Sequence, residues 1–271
     1  MGMKTSAVIA DGTFPTNTAP ILGPIPEAVR QAAEAGYDAV SVTVCRPGEV
    51  DMSALQRACR EHHIAVSGLA TGRIYTVDGL CLGSGDEENR LAAVQRMLSH
   101  AELCARLDGA KLIVGAIRGW TRDAGGREAY VRQFRRSMEA IVARAEALGV
   151  QVVLEAISSI DSDAYCTIAE TAEYVRSFRS SALRLQLDSI HLHTNGELDF
   201  YPKILALKGL VGQVDISDVD RMAPDGAHFD FPLLIQALKE IGYRDYLVFE
   251  FRAQPPAGAA RAGLDYIRTL L

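Results

Sequence analysis

Val150-Gln151-Val152-Val153-Leu154-Glu155-Ala156, then the amphipathic run Thr167–Phe178, then Ala182-Leu183-Arg184-Leu185-Gln186-Leu187-Asp188 decide the fold. The outer two runs are short, apolar and end on or beside an acid. The middle one spaces its apolar residues at helical intervals. Strand, helix and strand in quick succession make a unit of two parallel strands joined by a crossover helix, because a parallel return cannot be made by a tight turn.

The same alternation extends in both directions. Strands are expected at Ser6–Ala10, Asp38–Val44, Ile64–Thr71 and Ala110–Ile117 before this unit, and at Leu210–Ser217 and Asp245–Phe251 after it. Helical patterns separate them at Ile25–Ala35, Ser53–Glu61, Asp86–Leu107, Glu128–Leu148, a short piece near Phe200–Leu207, Phe231–Ile241 and Gly258–Leu271. Pro26 marks one helix start, and Gly36, Gly149 and Gly242 mark stops. Eight strand–helix pairs in strict alternation predict an α/β chain, a single (β/α)₈ TIM barrel forming one domain over residues 1–271. An open dinucleotide-binding sheet is disfavoured, since Ala10-Asp11-Gly12-Thr13-Phe14 after the first strand lacks the glycine fingerprint.

Bulk properties exclude several classes. The formal charge of −6 over 271 residues, with no run of like charges, argues against a nucleic-acid partner. No stretch approaches transmembrane length, and Met1–Gly12 is too short and mixed for a signal peptide. The five cysteines, Cys45, Cys59, Cys81, Cys104 and Cys166, are scattered and never spaced C-x-x-C, as expected of a reduced cytoplasmic chain. No Gly-x-Ser-x-Gly nucleophile motif occurs.

In a barrel of this kind the chemistry sits where the strands end, and the last four strands finish on or near acids. They read Val152-Val153-Leu154-Glu155, Leu185-Gln186-Leu187-Asp188, Gln213-Val214-Asp215-Ile216-Ser217-Asp218 and Leu247-Val248-Phe249-Glu250. One such acid is more often a helix cap or an ion-pair partner than a ligand; four on consecutive strands reverse that preference. Converging carboxylates repel one another unless a divalent cation relieves them, and an all-oxygen set suits Mg²⁺ or Mn²⁺, with Co²⁺ a further candidate. Asp218, beyond its strand, is the weakest candidate and is equally a turn cap. His191 follows Asp188 in what reads as a loop, Ser189-Ile190-His191-Leu192-His193, and Arg118 and Arg221 follow strands four and seven. Arginines so placed suit a substrate anion or a neighbouring acid equally.

These residues resemble the xylose-isomerase-like barrel superfamily and, within it, the ketose 3-epimerase branch with its 5-keto-gluconate epimerase subgroup. The resemblance covers nearly the whole chain. It rests on Thr71-Gly72-Arg73-Ile74-Tyr75 with Asp78-Gly79-Leu80, Gly115-Ala116-Ile117-Arg118-Gly119, and Asp188-Ser189-Ile190-His191. Arg221-Met222-Ala223-Pro224, Gly226-Ala227-His228-Phe229-Asp230-Phe231 and Leu238-Lys239-Glu240-Ile241-Gly242-Tyr243 complete it. It implies metal ligands at Glu155, Asp188, Asp215 and Glu250, with Glu155 and Glu250 as acid and base. It also implies substrate contacts at His191 and Arg221, with Asp161 where the family usually has glutamate. The implied reaction is epimerisation or isomerisation of a keto-sugar or keto-sugar acid through a metal-stabilised enediolate, by a homo-oligomer, dimer or tetramer, acting on a small polyhydroxy carbonyl compound.

Departures leave alternatives open. Asp215 stands where the family usually presents histidine, and Gln213 replaces a second histidine. Ala156-Ile157-Ser158-Ser159-Ile160-Asp161 replaces a loop that usually carries arginine and tyrosine. A dehydratase or lyase on a keto-polyol shares the first proton abstraction, and a metal-free, non-catalytic homologue is the other alternative.

Overall fold

The computed structural model describes residues 2–13, 16–253 and 258–271. Among the described residues nine strands form: β1 Lys4–Ala10, β2 Ile21–Leu22, β3 Ala39–Thr43, β4 Ala65–Ala70, β5 Lys111–Val114, β6 Val152–Glu155, β7 Leu183–Asp188, β8 Val211–Ile216 and β9 Tyr246–Phe249. The sheet order is β2-β1-β3-β4-β5-β6-β7-β8-β9, and β1 also pairs with β9. β1 is parallel to both β3 and β9, which leaves the two-residue β2 as an addition to an eight-stranded (β/α)₈ TIM barrel. The eight expected strands all form, each trimmed or extended at its ends. The fourth is shortened most: Ala116–Arg118 turns into a single 3₁₀ turn rather than continuing β5.

Among the described residues ten α-helices accompany the strands: α1 Ile25–Ala35, α2 Met52–Glu61, α3 Arg73–Asp78, α4 Glu87–Ala105, α5 Arg127–Leu148, α6 Ile168–Ser177, α7 Ser189–Thr194, α8 Phe200–Leu205, α9 Phe231–Glu240 and α10 Ala259–Arg268. Their starts follow from side chains that satisfy otherwise orphaned N–H groups. Asp51 accepts from Ala54 N, Asp86 from Glu88 N, Thr167 from Glu170 N and Asp230 from Leu233 N. No described helix is long and apolar enough to cross a membrane.

The contacts of the chain define two compact units: Met1–Thr43 with Asp51–Ser67 and Gln186–Leu271, and Val44–Val50 with Gly68–Leu185. The first contains a stacked Phe200–Phe229 pair, ring centroids 5.3 Å apart, with Phe231 against Phe229. The second contains the β5–β6 pair and a run of rings, Tyr130, Phe134, Tyr165 and Tyr174, with centroids 4.3–5.6 Å apart. All five cysteines are free thiols. Burial pushes Cys59 up to about 11 and Cys81 and Cys104 up to about 12. It also raises Cys45, with help from Asp78, and Cys166.

Candidate active site

Side chains on a strand alternate between its two faces, so Gln186 and Asp188 share one face of β7, and Gln213 and Asp215 one face of β8. All four are buried. Both oxygens of Asp215 are held by amides: Gln213 Nε2 donates to Oδ1 at 2.7 Å and Gln186 Nε2 to Oδ2 at 3.0 Å. The bracket fixes the orientation of the carboxylate.

Asp188 ends β7 completely buried and caps α7, its Oδ1 accepting from Ile190 N at 3.0 Å. The segment expected as a loop is therefore helical from Ser189, because the strand-end acid supplies the cap. One turn along, His191 places Nε2 3.7 Å from Asp188 Oδ2. The Ser189 hydroxyl donates to Ser217 O at 2.7 Å and accepts from Ser217 N at 2.9 Å, tying the start of α7 to the residue after β8.

Arg221 joins the ends of β7 and β9. Its Nη1 lies 2.7 Å from Glu250 Oε2 and 3.1 Å from Asp188 Oδ2. Two strand-end acids thus converge on one cationic group. The backbone that delivers it is strained: Asp220 and Arg221 both adopt left-handed conformations, at φ 59° and 57°, where non-glycine residues are uncommon. The turn is fastened by Asp218 N donating to Met222 O at 2.8 Å and Arg252 N to Arg221 O at 2.9 Å. Asp218 caps this turn, its Oδ1 accepting from Val219 N at 2.7 Å. Asp218, Asp225 and His228 can also bring three ligand atoms within 4.8 Å of one another, the latter two from exposed positions.

The other unit carries Glu155, Arg118 and Asp161. Glu155 ends β6 and is 7% exposed. The register Val114↔Leu154 sets Gly115 beside it. Neighbouring side chains of parallel strands point the same way, and Glu155 fills the room that glycine leaves: a Cβ on Gly115 would lie 2.6 Å from Glu155 Oε2.

Arg118, expected to face either a substrate anion or a neighbouring acid, is instead completely buried. Its Nε donates to Gly115 O at 3.1 Å, Nη1 to Ala164 O and Tyr165 O at 3.4 and 3.2 Å, and Nη2 to Val114 O at 3.1 Å and to Glu155 O. Because β5 stops at Val114, the following turn swings the guanidinium inward onto these carbonyls. Burial pulls Arg118 below the usual arginine value, and the nearby Tyr130 and Glu155 oppose that. Asp161 is exposed and accepts from the Ser158 hydroxyl.

The donor set fits a divalent cation. Asp188 and Glu250 already meet at a cation, His191 adds an imidazole nitrogen beside Asp188, and Asp215 is pre-oriented by amides, as metal-ligating carboxylates commonly are. Gln186, Gly115 and the Ser189–Ser217 link were not anticipated. Gln186 had a signal, since it precedes Asp188 by the same two residues that separate Gln213 from Asp215.

The family model described as xylose isomerase-like TIM barrel matches residues 29–270, and the chain belongs to that family. Among curated relatives, an L-ribulose 3-epimerase of Mesorhizobium japonicum is 26% identical over 219 residues, 80% of this chain and 72% of that protein. A 3-dehydro-D-guloside 4-epimerase of Escherichia coli is 27% identical over 201 residues, 69% of this chain and 75% of the other. Among solved structures, the apo 3-keto-D-glucoside 4-epimerase of E. coli superposes with a TM-score of 0.81 at 22% identity, covering 98% of this chain and 99% of that one. A D-psicose 3-epimerase crystallised in the presence of D-fructose gives 0.82 at 16% identity, with 99% of each chain covered. At such identities the structural likeness is one of fold.

Proposed function

We propose that this chain is a divalent-metal-dependent epimerase of a keto-sugar or keto-sugar acid, acting as one (β/α)₈ domain. The observation that carries the reading is the convergence of Asp188 and Glu250, from the ends of β7 and β9, on a single cationic nitrogen of Arg221. The names of the relatives, sugar epimerases at the 3- and 4-positions, support the reaction class.

Glu155, Asp188, Asp215 and Glu250 would hold the ion, with His191 beside Asp188 as a further donor. Oxygen donors next to an imidazole favour Mn²⁺ over Mg²⁺. When bound, such an ion acts as a Lewis acid on the substrate carbonyl and acidifies the neighbouring C–H. The residues do the rest. One glutamate removes the α-proton and the other returns a proton from the opposite face, which inverts the carbon. Glu155 is held in its slot beside Gly115, and Glu250 is held by Arg221. His191 and Arg221 can donate to the substrate oxygens as charge grows there. Asp161, on the exposed loop after β6, is the substrate contact most open to variation. The setting we propose is cytoplasmic and homo-oligomeric, with a small polyhydroxy carbonyl substrate.

Mn²⁺-loaded protein in D₂O with L-ribulose, D-fructose, D-allulose and D-tagatose tests the proposal by α-proton exchange. Glu155→Gln and Glu250→Gln should each lower exchange by about 10²–10⁴-fold while melting as the parent does. Robust exchange in either variant overturns the assigned roles. An ultraviolet-absorbing enone product would reassign the chain as a lyase.

A further inference from the structure

We infer that Arg118 and Gly115 are positioning residues for Glu155, one fixing its main chain and the other its carboxylate. The inference rests on the reading of Glu155 as an acid/base and metal-binding residue and adds the device that aims it.

A guanidinium has five N–H groups in a rigid plane. Those of Arg118 are matched to the carbonyls of Val114, Gly115, Glu155, Ala164 and Tyr165. These acceptors belong to three places: the end of β5, the end of β6 and the segment leading into α6. One planar group therefore sets the relative orientation of three backbone segments, and one of its five carbonyls is that of Glu155 itself.

Stability is a poor reason for this arrangement. A completely buried cation carries a desolvation cost that a neutral, well-packed side chain avoids, and none of the five bonds is made to a carboxylate. The carbonyls of Val114 and Gly115 do need donors where β5 stops, but waters or a serine hydroxyl would serve them. What a guanidinium supplies and those groups do not is a fixed geometry across all three segments, with a positive charge close to Glu155.

Gly115 completes the device from the other side. Its φ of −105° is not left-handed, and the room that Glu155 takes calls for a residue without a Cβ there. Any larger residue would put its Cβ against Glu155 Oε2. The main chain of Glu155 is pinned through its carbonyl, and its carboxylate lies in a slot one methyl group deep. A ligand held this way keeps its direction when substrate comes and goes.

The test compares Arg118→Lys, Gly115→Ala and Glu155→Gln with the parent, by calorimetric Mn²⁺ binding, α-proton exchange on the ketoses above, and thermal melting. Lysine retains the charge but cannot span five carbonyls, and alanine leaves the charge untouched while crowding the slot. Both should bind Mn²⁺ about 10–100-fold more weakly and lose kcat with little change in KM. A folded Arg118→Lys or Gly115→Ala variant with parental Mn²⁺ affinity and kcat overturns the inference, as does a loss confined to melting temperature. If the lysine variant does not fold, the alanine variant decides. Parental Mn²⁺ affinity in Glu155→Gln would instead sink the underlying reading of Glu155.

Discussion

At the residue scale, Asp215 and Arg118 show what a sequence discloses of a side chain's surroundings and what it withholds. The strand-end positions of Glu155, Asp188 and Glu250 are legible because each closes an apolar strand pattern, and the period of two sets the face that Asp215 takes within β8. The partners are not. That Asp215 is bracketed by Gln186 and Gln213 depends on the relative register of β7 and β8, which no spacing within either strand fixes. Arg118 was misplaced for a related reason. Its position after an apolar run predicts a strand end, but β5 stops at Val114 and the turn that follows reverses the side chain into the interior. His100 is a further residue whose behaviour the structure defines. Its Nδ1 lies 2.7 Å from Arg96 O and its Nε2 3.0 Å from Val44 O, in a setting with no solvent exposure. Burial lowers its pKa, with the two carbonyls opposing. The folded chain therefore takes up a proton at His100 less readily than the unfolded chain, which does so near the ordinary value of about 6.5. The contribution is fully present above that value and is lost as pH falls below it toward the depressed folded value. Urea midpoints measured between pH 7 and pH 5 should fall more steeply for the parent than for His100→Gln. Equal slopes would remove His100 from the account.

At the scale of elements, the long amphipathic helices were readable because they offer several turns of period, and their caps are written in the sequence. The six-residue α3 and α7 were missed because they are shorter than the window in which a period can be recognised. For α7 the concealment has a specific cause: Asp188 serves at once as the last residue of a strand and the cap of a helix, so no polar linker separates the two. The turn after β8 is the other element that mattered. It holds Asp220 and Arg221 in left-handed conformations, a placement that costs roughly 1–2 kcal/mol per ordinary residue and less for Asp. Strain of this kind is sustained by its surroundings, here the Asp218–Met222 and Arg252–Arg221 main-chain bonds. Asp220→Gly should melt at or above the parent, and Asp220→Val should lose about 1–2 kcal/mol. If valine is tolerated without loss, the turn is not strained in the way described.

For the whole molecule, the barrel was legible from alternation alone, since eight strand–helix pairs leave few other topologies. Sequence could not supply the meeting of acids from different strands around one cation, because that is a property of the assembled sheet. If those acids form a site only in the native state, a bound ion must stabilise the entire fold. Mn²⁺ at about 100 times its dissociation constant adds about 2.7 kcal/mol, which for a chain of this size raises the melting temperature by roughly 5–11 °C. An unchanged melting temperature at saturating Mn²⁺ would favour a metal-free homologue.

The buried thiols of Cys45, Cys81 and Cys104 turn the same cooperativity into something that can be timed. Reaction with an alkylating reagent requires the thiolate, and each of these sulfurs is held protonated above the usual cysteine range. Near neutrality, then, iodoacetamide should modify them only when the chain breathes open, so the pace at which label accumulates becomes a clock for unfolding that needs no engineered probe. Ion binding should slow that clock for thiols exposed only by global opening, and a cysteine that reacts early would mark the part of the fold that opens first.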